Sequence, residues 1–287
     1  MTVLPRYPAP AKLNLFLHVV GQREDGFHLL QTLFRLINLS DTLGLEVRQD
    51  GRLVLHRPLP EVPEDKDLCW RAARLLQLHT GCRLGADIEL IKRLPMGGGL
   101  GGGSSDAATV LLVLNRLWHL DLPRQALQAL ALQLGADVPV FVFGQSAFAE
   151  GVGEELTAWT LPPAWYVVLD PGVHVSTPAI FKHPALTRDT PSVKIAALSE
   201  GLRQGALRND LEPVACSLAP EVGDALRGLA KFGVARMTGS GACVFAAYDV
   251  REQAEQVLAQ CMADAPPGLK GFVAEGLDRH PLYDFAD

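Results

Sequence analysis

The residues with the plainest chemical meaning form one run: Pro95, Met96, Gly97, Gly98, Gly99, Leu100, Gly101, Gly102, Gly103, Ser104 and Ser105. Glycine lets backbone approach a ligand closely and reach positive φ, so successive N–H groups can converge on an anion. An apolar segment over 104–118 follows and predicts a helix, whose first N–H groups and dipole favour negative charge. Ser104 and Ser105 add hydroxyls, and one of them is expected to cap the helix. The run therefore predicts an anion, in particular phosphate, held at a helix start. A flexible linker would not lead straight into an apolar helix. A P-loop needs Lys before Ser or Thr, but position 104 is Ser. The spacing Gly97, Gly99, Gly102 imitates a dinucleotide fingerprint, with Asp121 downstream. That motif needs a strand running into the loop and a second strand carrying the acid. Here Pro95 interrupts the approach, and Asp121 falls in a turn between two helices.

The elements that must position this loop are legible from periodicity. Residues 12–20 alternate: Leu13, Leu15, Leu17 and Val19 share one face, Lys12, Asn14, Phe16 and His18 the other. That predicts a strand with one buried face. Asp25-Gly26 is a turn signal. Apolar segments over 29–39, 43–47, 53–55 and 86–91 add strands, and helical spacing covers 68–79, with Gly81 as its cap. A helix over 124–134 ends at Gly135, before Asp137-Val138-Pro139. Leu161-Pro162-Pro163 divides the chain into domains 1–160 and 161–287. Beyond it, strands at 165–169, 235–237, 242–248 and 272–275 and helices at 193–203, 213–232 and 251–262 predict an α+β second domain, with a small turn at Thr238-Gly-Ser-Gly241.

Composition narrows the function. The 287 residues carry a net charge of −6, a pI near 5.8 and 48% hydrophobic residues. A general nucleic-acid surface needs a basic excess. Five cysteines without C-x-x-C spacing predict free thiols rather than zinc. No apolar run reaches membrane-spanning length, and residues 1–11 lack the marks of a signal peptide. These features predict a soluble, cytoplasmic protein.

The motif Pro95-x-x-x-Gly99-Leu100 with Ser104-Ser105-x-Ala107-Ala108 resembles the phosphate loop of the GHMP kinases (galactokinase, homoserine, mevalonate and phosphomevalonate kinases). Pro10-Ala-Lys-Leu-Asn-Leu15 and Arg236-Met-Thr-Gly-Ser-Gly-Ala-Cys243 resemble that family's N- and C-terminal motifs, in the same order. Gly26-Phe-His28, Gly135-Ala-Asp-Val-Pro139 and Arg208-Asn-Asp-Leu211 are similar to one branch, which acts on a cytidine diphosphate-linked methylerythritol in the non-mevalonate isoprenoid pathway. The resemblance implies a two-domain fold with a ribosomal protein S5 domain 2-like N-terminal domain, a ferredoxin-like C-terminal domain and a cleft between them. It implies phosphorylation of the substrate's 2-hydroxyl by ATP with Mg²⁺, for which no protein ligand is apparent. Another small-molecule kinase of the family, of homoserine or mevalonate type, is the alternative.

By the same resemblance, Asp137 is the general base and Lys12 its cationic partner. The glycine run from Pro95 to Ser105 and Lys92 bind ATP, with Arg93 also flanking the nucleotide. Phe27 and Phe181 stack on cytosine, His28 bonds its edge, Asn14 contacts the erythritol, Thr177 and Lys182 complete the substrate site, and the 238–241 turn closes over the phosphates. Tyr is common in the family where Phe27 stands, and Asn where Asp67 stands, which leaves the adenine contacts open. Asp106, at the first helical turn, is expected to favour the helix dipole or to sit near the metal.

Overall fold

A computed structural model describes residues 4–56, 58–59, 62–203, 206–263 and 265–286; the first three residues of the 1–11 stretch lie outside them. The first half carries β1 (Arg6–Gln22), β2 (His28–Arg48), β3 (Leu53–His56), α1 (Leu68–Thr80), β4 (Gly85–Ile91), α2 (Gly102–Leu117), α3 (Arg124–Leu134), α4 (Val138–Phe143), β5 (Ala147–Glu150) and β6 (Glu155–Ala158). The second carries β7 (Trp165–Asp170), α5 (Thr177–Lys182), α6 (Leu198–Arg203), α7 (Glu212–Leu218), α8 (Pro220–Ala230), β8 (Arg236–Met237), β9 (Val244–Tyr248), α9 (Arg251–Ala263) and β10 (Lys270–Leu277).

The long strand β2 is the spine. It pairs with β1 along one edge. Along the other it meets β5 at Thr32–Phe34, β10 at Leu36–Ile37 and β4 at Thr42–Arg48. Strand β10 also pairs with β7, so one sheet of order β3-β4-β2-β10-β7-β9-β8 runs through both halves. The expected segments 29–39 and 43–47 are thus parts of a single strand.

Two cores lie on either side of the spine, one around the wholly buried middle of α2 and one among β7, β9, α7 and α8. A third cluster, with Leu13, Phe16, Phe148 and Phe245, joins them. That junction corrects the expectation for β1. Lys12, Asn14 and His18 are buried along with the leucines, because the second half covers the face that alternation assigned to solvent.

Three helical expectations change as well. The stretch 213–232 is two helices, broken at Ala219, whose extended backbone (φ −140°, ψ 95°) leads into Pro220 at the start of α8. The stretch 193–203 is a 3₁₀ turn followed by the short α6. Neither Ser104 nor Ser105 caps α2: its N-cap is Gly101, left-handed at φ 71°, with no side-chain cap bond. Among the described residues, no helix is long and apolar enough to cross a membrane.

Candidate active site

Two cavities meet at the glycine loop. One of about 440 Å³ is walled by Pro95 to Ser104, Lys92, Asp67 and His174. The other, about 830 Å³, is lined by Lys12, Asn14, Phe27, His28, Asp137, Thr177, Phe181 and Lys182, among others. Ser104, Thr177 and Ser240 line both, and the Thr177 and Ser240 hydroxyls are 2.6 Å apart. Every residue expected at the substrate site thus faces the larger cavity, and every one expected at ATP except Ser105 and the flanking Arg93 faces the smaller. Ser105 lies wholly buried in the first turn of α2, its hydroxyl without a partner among the described residues.

Strand β1 delivers Lys12. Its backbone N–H donates to the Leu100 carbonyl at 2.9 Å, tying strand to loop. Its buried ammonium donates to Asn14 Oδ1 at 2.6 Å and pairs with Asp137 Oδ2 at 3.2 Å. Asp137 stands at the N-cap of α4, a helix that sequence reading missed because six residues carry too little periodicity. Its side chain makes no capping bond there and is 40% exposed, so it faces the cavity with a fixed cation behind it. The Asn14 amide donates to Thr32 Oγ1, and its backbone N–H donates to Thr238 Oγ1, both at 2.9 Å.

The 238–241 turn packs onto the glycine loop. A Cβ at Gly99 would stand 2.1 Å from the Thr238 carbonyl, and one at Gly98 would stand 2.7 Å from Cys243 Sγ. Asn209, whose motif carried no assigned role, donates from Nδ2 to the Met237 and Gly239 carbonyls at 2.9 and 2.8 Å. Its neighbour Asp210 accepts from Val19 N at 2.8 Å and Thr190 Oγ1 at 2.7 Å, holding β1 to this half.

Lys92 faces the smaller cavity, but its ammonium is already paired. It bonds Asp41 Oδ2, and Asp106 Oδ2 at 2.9 Å. Asp41 also accepts the N–H groups of Arg93 and Leu94. Burial pushes the Asp106 carboxyl up to about 7, partly opposed by Lys92. Asp106 therefore belongs to a buried ion cluster rather than to the helix dipole alone. Asp41 had no sequence signal. Asp67 caps α1, accepting from Cys69 N and Trp70 N at 2.8 and 3.1 Å; Asn could do the same.

At the far end of the larger cavity, His28 packs on Phe181, ring centroids 4.9 Å apart and planes tilted 33°. Phe27 is 62% exposed at the hairpin tip. The structure therefore pairs Phe181 with His28, not with Phe27. Arg188, also without sequence signal, donates from Nε to His28 Nε2 at 3.2 Å.

An uncapped helix start behind a glycine loop, opening on a nucleotide-sized cavity beside a second one, fits ATP next to an acceptor. The N–H groups of Gly102, Gly103 and Ser104 precede the first intrahelical bond and remain free for an anion. A metal site is not evident: among the described residues no three His, Cys, Asp or Glu side chains cluster as ligands.

Comparison with known proteins agrees. Residues 67–145 match the GHMP kinases N terminal domain and residues 192–265 the GHMP kinases C terminal domain. Fold and site together define a small-molecule kinase of the GHMP class. A curated 4-diphosphocytidyl-2-C-methyl-D-erythritol kinase from Thiobacillus denitrificans is 64% identical over 97% of this chain and 98% of its own. The enzyme of that name from Ralstonia nicotianae is 58% identical over 99% and 98%. A crystal structure of 4-(cytidine 5'-diphospho)-2C-methyl-D-erythritol kinase superposes with a TM-score of 0.81 at 36% identity, covering 95% of this chain and all of the other. Homoserine kinase from Cytophaga hutchinsonii shares the fold, with a TM-score of 0.73 at 17% identity. The chain belongs to the family of 4-diphosphocytidyl-2-C-methyl-D-erythritol kinases.

Proposed function

We propose that this protein transfers the γ-phosphoryl group of ATP to the 2-hydroxyl of 4-diphosphocytidyl-2-C-methyl-D-erythritol, a step toward isoprenoids by the non-mevalonate pathway. The observation that carries the reading is the meeting of the two cavities at Ser104, Thr177 and Ser240, with the Lys12–Asp137 pair in the larger. ATP lies in the smaller cavity with its phosphates on the glycine loop and the start of α2. The cytidine-bearing alcohol fills the larger. Asp137 accepts the hydroxyl proton as the oxygen attacks phosphorus. Lys12 stabilises negative charge on the transferring group, and ADP departs.

Magnesium, when bound with ATP, would supply positive charge to the phosphates; no protein ligand is assigned to it. Asn14 orients the erythritol hydroxyls, Thr177 and Lys182 meet the diphosphate, and Phe27, His28 and Phe181 hold the base, whose stacking contributes roughly 1–3 kcal/mol. Domains 1–160 and 161–287 form the two walls. The net charge of −6 supports a small-molecule partner over nucleic acid, and the protein works in the cytoplasm.

A coupled ADP-release assay across alcohols tests this. The cytidine-bearing alcohol should release ADP. ADP release with homoserine or mevalonate, and none with the cytidine substrate, would refute it.

A further inference from the structure

The guanidinium of Arg188 is held on every side. Nη1 donates to the Leu186 carbonyl at 3.0 Å. Nη2 donates to the Phe181 and His183 carbonyls, both at 2.9 Å. These bonds fold the 181–188 loop around the arginine and fix its plane. Its Nε–H then points at His28 Nε2, 3.2 Å away. A guanidinium has no lone pair to offer, so the imidazole nitrogen must accept. The proton of a neutral His28 is thereby confined to Nδ1. Burial, and then the charge of Arg188, lower the imidazole's proton affinity and keep the ring neutral. Among the described residues Nδ1 has no protein hydrogen-bond partner, and His28 lines the larger cavity.

We propose that Arg188 is a positioning residue that sets base specificity: it locks His28 in the Nδ1–H tautomer, so that the cavity presents a donor to a ring acceptor such as N3 of cytosine. The proposal rests on the cytidine reading above. The same N–H would confront the N3–H of uracil, donor against donor, so the lock rejects the other common pyrimidine as well as holding this one. With the lock removed, the ring can carry its proton on either nitrogen. It would then accept from uracil as readily as donate to cytosine.

Two measurements test this on the full-length protein. The first is ¹⁵N NMR of the histidine rings at pH 7.5, with the His28 signals assigned through His28→Gln. A protonated Nδ1 with an unprotonated Nε2 is expected in the wild type, and a mixture of tautomers in Arg188→Lys, which keeps the charge but not the planar fork. A wild-type ring protonated on Nε2, or on both nitrogens, overturns the assignment. The second is kcat/KM for the cytidine-bearing alcohol and for its uridine counterpart. The preference should fall about tenfold in Arg188→Lys, the scale of one hydrogen bond. An equal loss for both bases would mark a merely structural role and overturn the proposal. No turnover of the cytidine substrate by wild-type enzyme would sink the proposed function instead, whatever tautomer the ring adopts.

Discussion

Replacing Gly99 with alanine should unfold the junction between loop and turn without any ligand present. Gly99 sits at φ +74°, where an L side chain costs roughly 1–2 kcal/mol. The added methyl would lie 2.1 Å from the Thr238 carbonyl oxygen, so loop or turn must retreat by about an ångström. Retreat disturbs the bonds from Asn14 N to Thr238 Oγ1 and from Cys243 N to the Gly98 carbonyl, 2.9 and 3.1 Å. Each is worth about 1 kcal/mol. Alanine restricts the unfolded chain and returns about 0.5–1 kcal/mol. The net loss is about 2–3 kcal/mol, or roughly 3–5 °C in melting midpoint for a protein of this size. Gly103→Ala is the control. Its methyl would meet only Leu68 Cδ1 at 3.4 Å, in the first turn of α2, so stability should hold or rise by up to about 1 kcal/mol. Thermal unfolding of both apo variants decides the matter. Equal midpoints for Gly99→Ala and wild type would refute the claim that this glycine serves the packing of the two halves.

Asp137→Asn should lower kcat by at least about 10²-fold in the ADP-release assay. Its unfolding midpoint should fall somewhat, because the buried Lys12 ammonium loses its counter-charge and keeps its bond to Asn14; a near-wild-type kcat would remove it as the base. A third prediction concerns Asp106, whose pKa of about 7 in the fold exceeds that of an exposed aspartate. Between pH 4 and 7 the folded state then holds a proton that the unfolded state has released, so this group's contribution to stability falls as pH rises. Urea unfolding should show the stability of wild type relative to Asp106→Asn declining by about 2–4 kcal/mol across that window. A constant difference would refute the buried, proton-holding state.

What the sequence made legible followed local rules. Alternation located β1, periodicity located α1, α2, α3 and α9, and the glycine run marked the helix start that faces the smaller cavity. What it hid depended on partners distant in the chain. Lys12, Asn14 and His18 looked like the polar face of a strand because nothing in residues 12–20 announces that Asn209, Asp210 and Thr238 cover them. Asp41 and Arg188 sit in stretches with no motif, and their meaning arises only where they reach Lys92 and His28. The capping role expected of Ser104 or Ser105 failed for a local reason. The left-handed Gly101 starts the helix one turn earlier, placing Ser105 inside it rather than at its entrance.

The glycines themselves divide by what a side chain would meet. At Gly97, Gly98, Gly99 and Gly101 a Cβ would strike His174, Cys243, Thr238 or Phe141, all within 2.9 Å, so the fold alone demands glycine there. At Gly102 and Gly103 nothing lies nearer than 3.2 Å, and both residues are helical, where alanine is the better former. The fold gives no reason for glycine at Gly103, and at Gly102 only the 3.2 Å approach of Lys92 Nζ; on the proposed function, close approach of phosphate to their N–H groups would supply one. The one lysine beside them cannot supply that attraction alone, since Lys92 is shared between Asp41 and Asp106 and the three together carry no positive excess. On the proposed function, phosphate at this end of the site would therefore be held mainly by backbone amides and the helix dipole. The Lys12 ammonium, paired with Asp137 and bonded to Asn14, stands at the other end, where on the proposed function charge would develop during transfer.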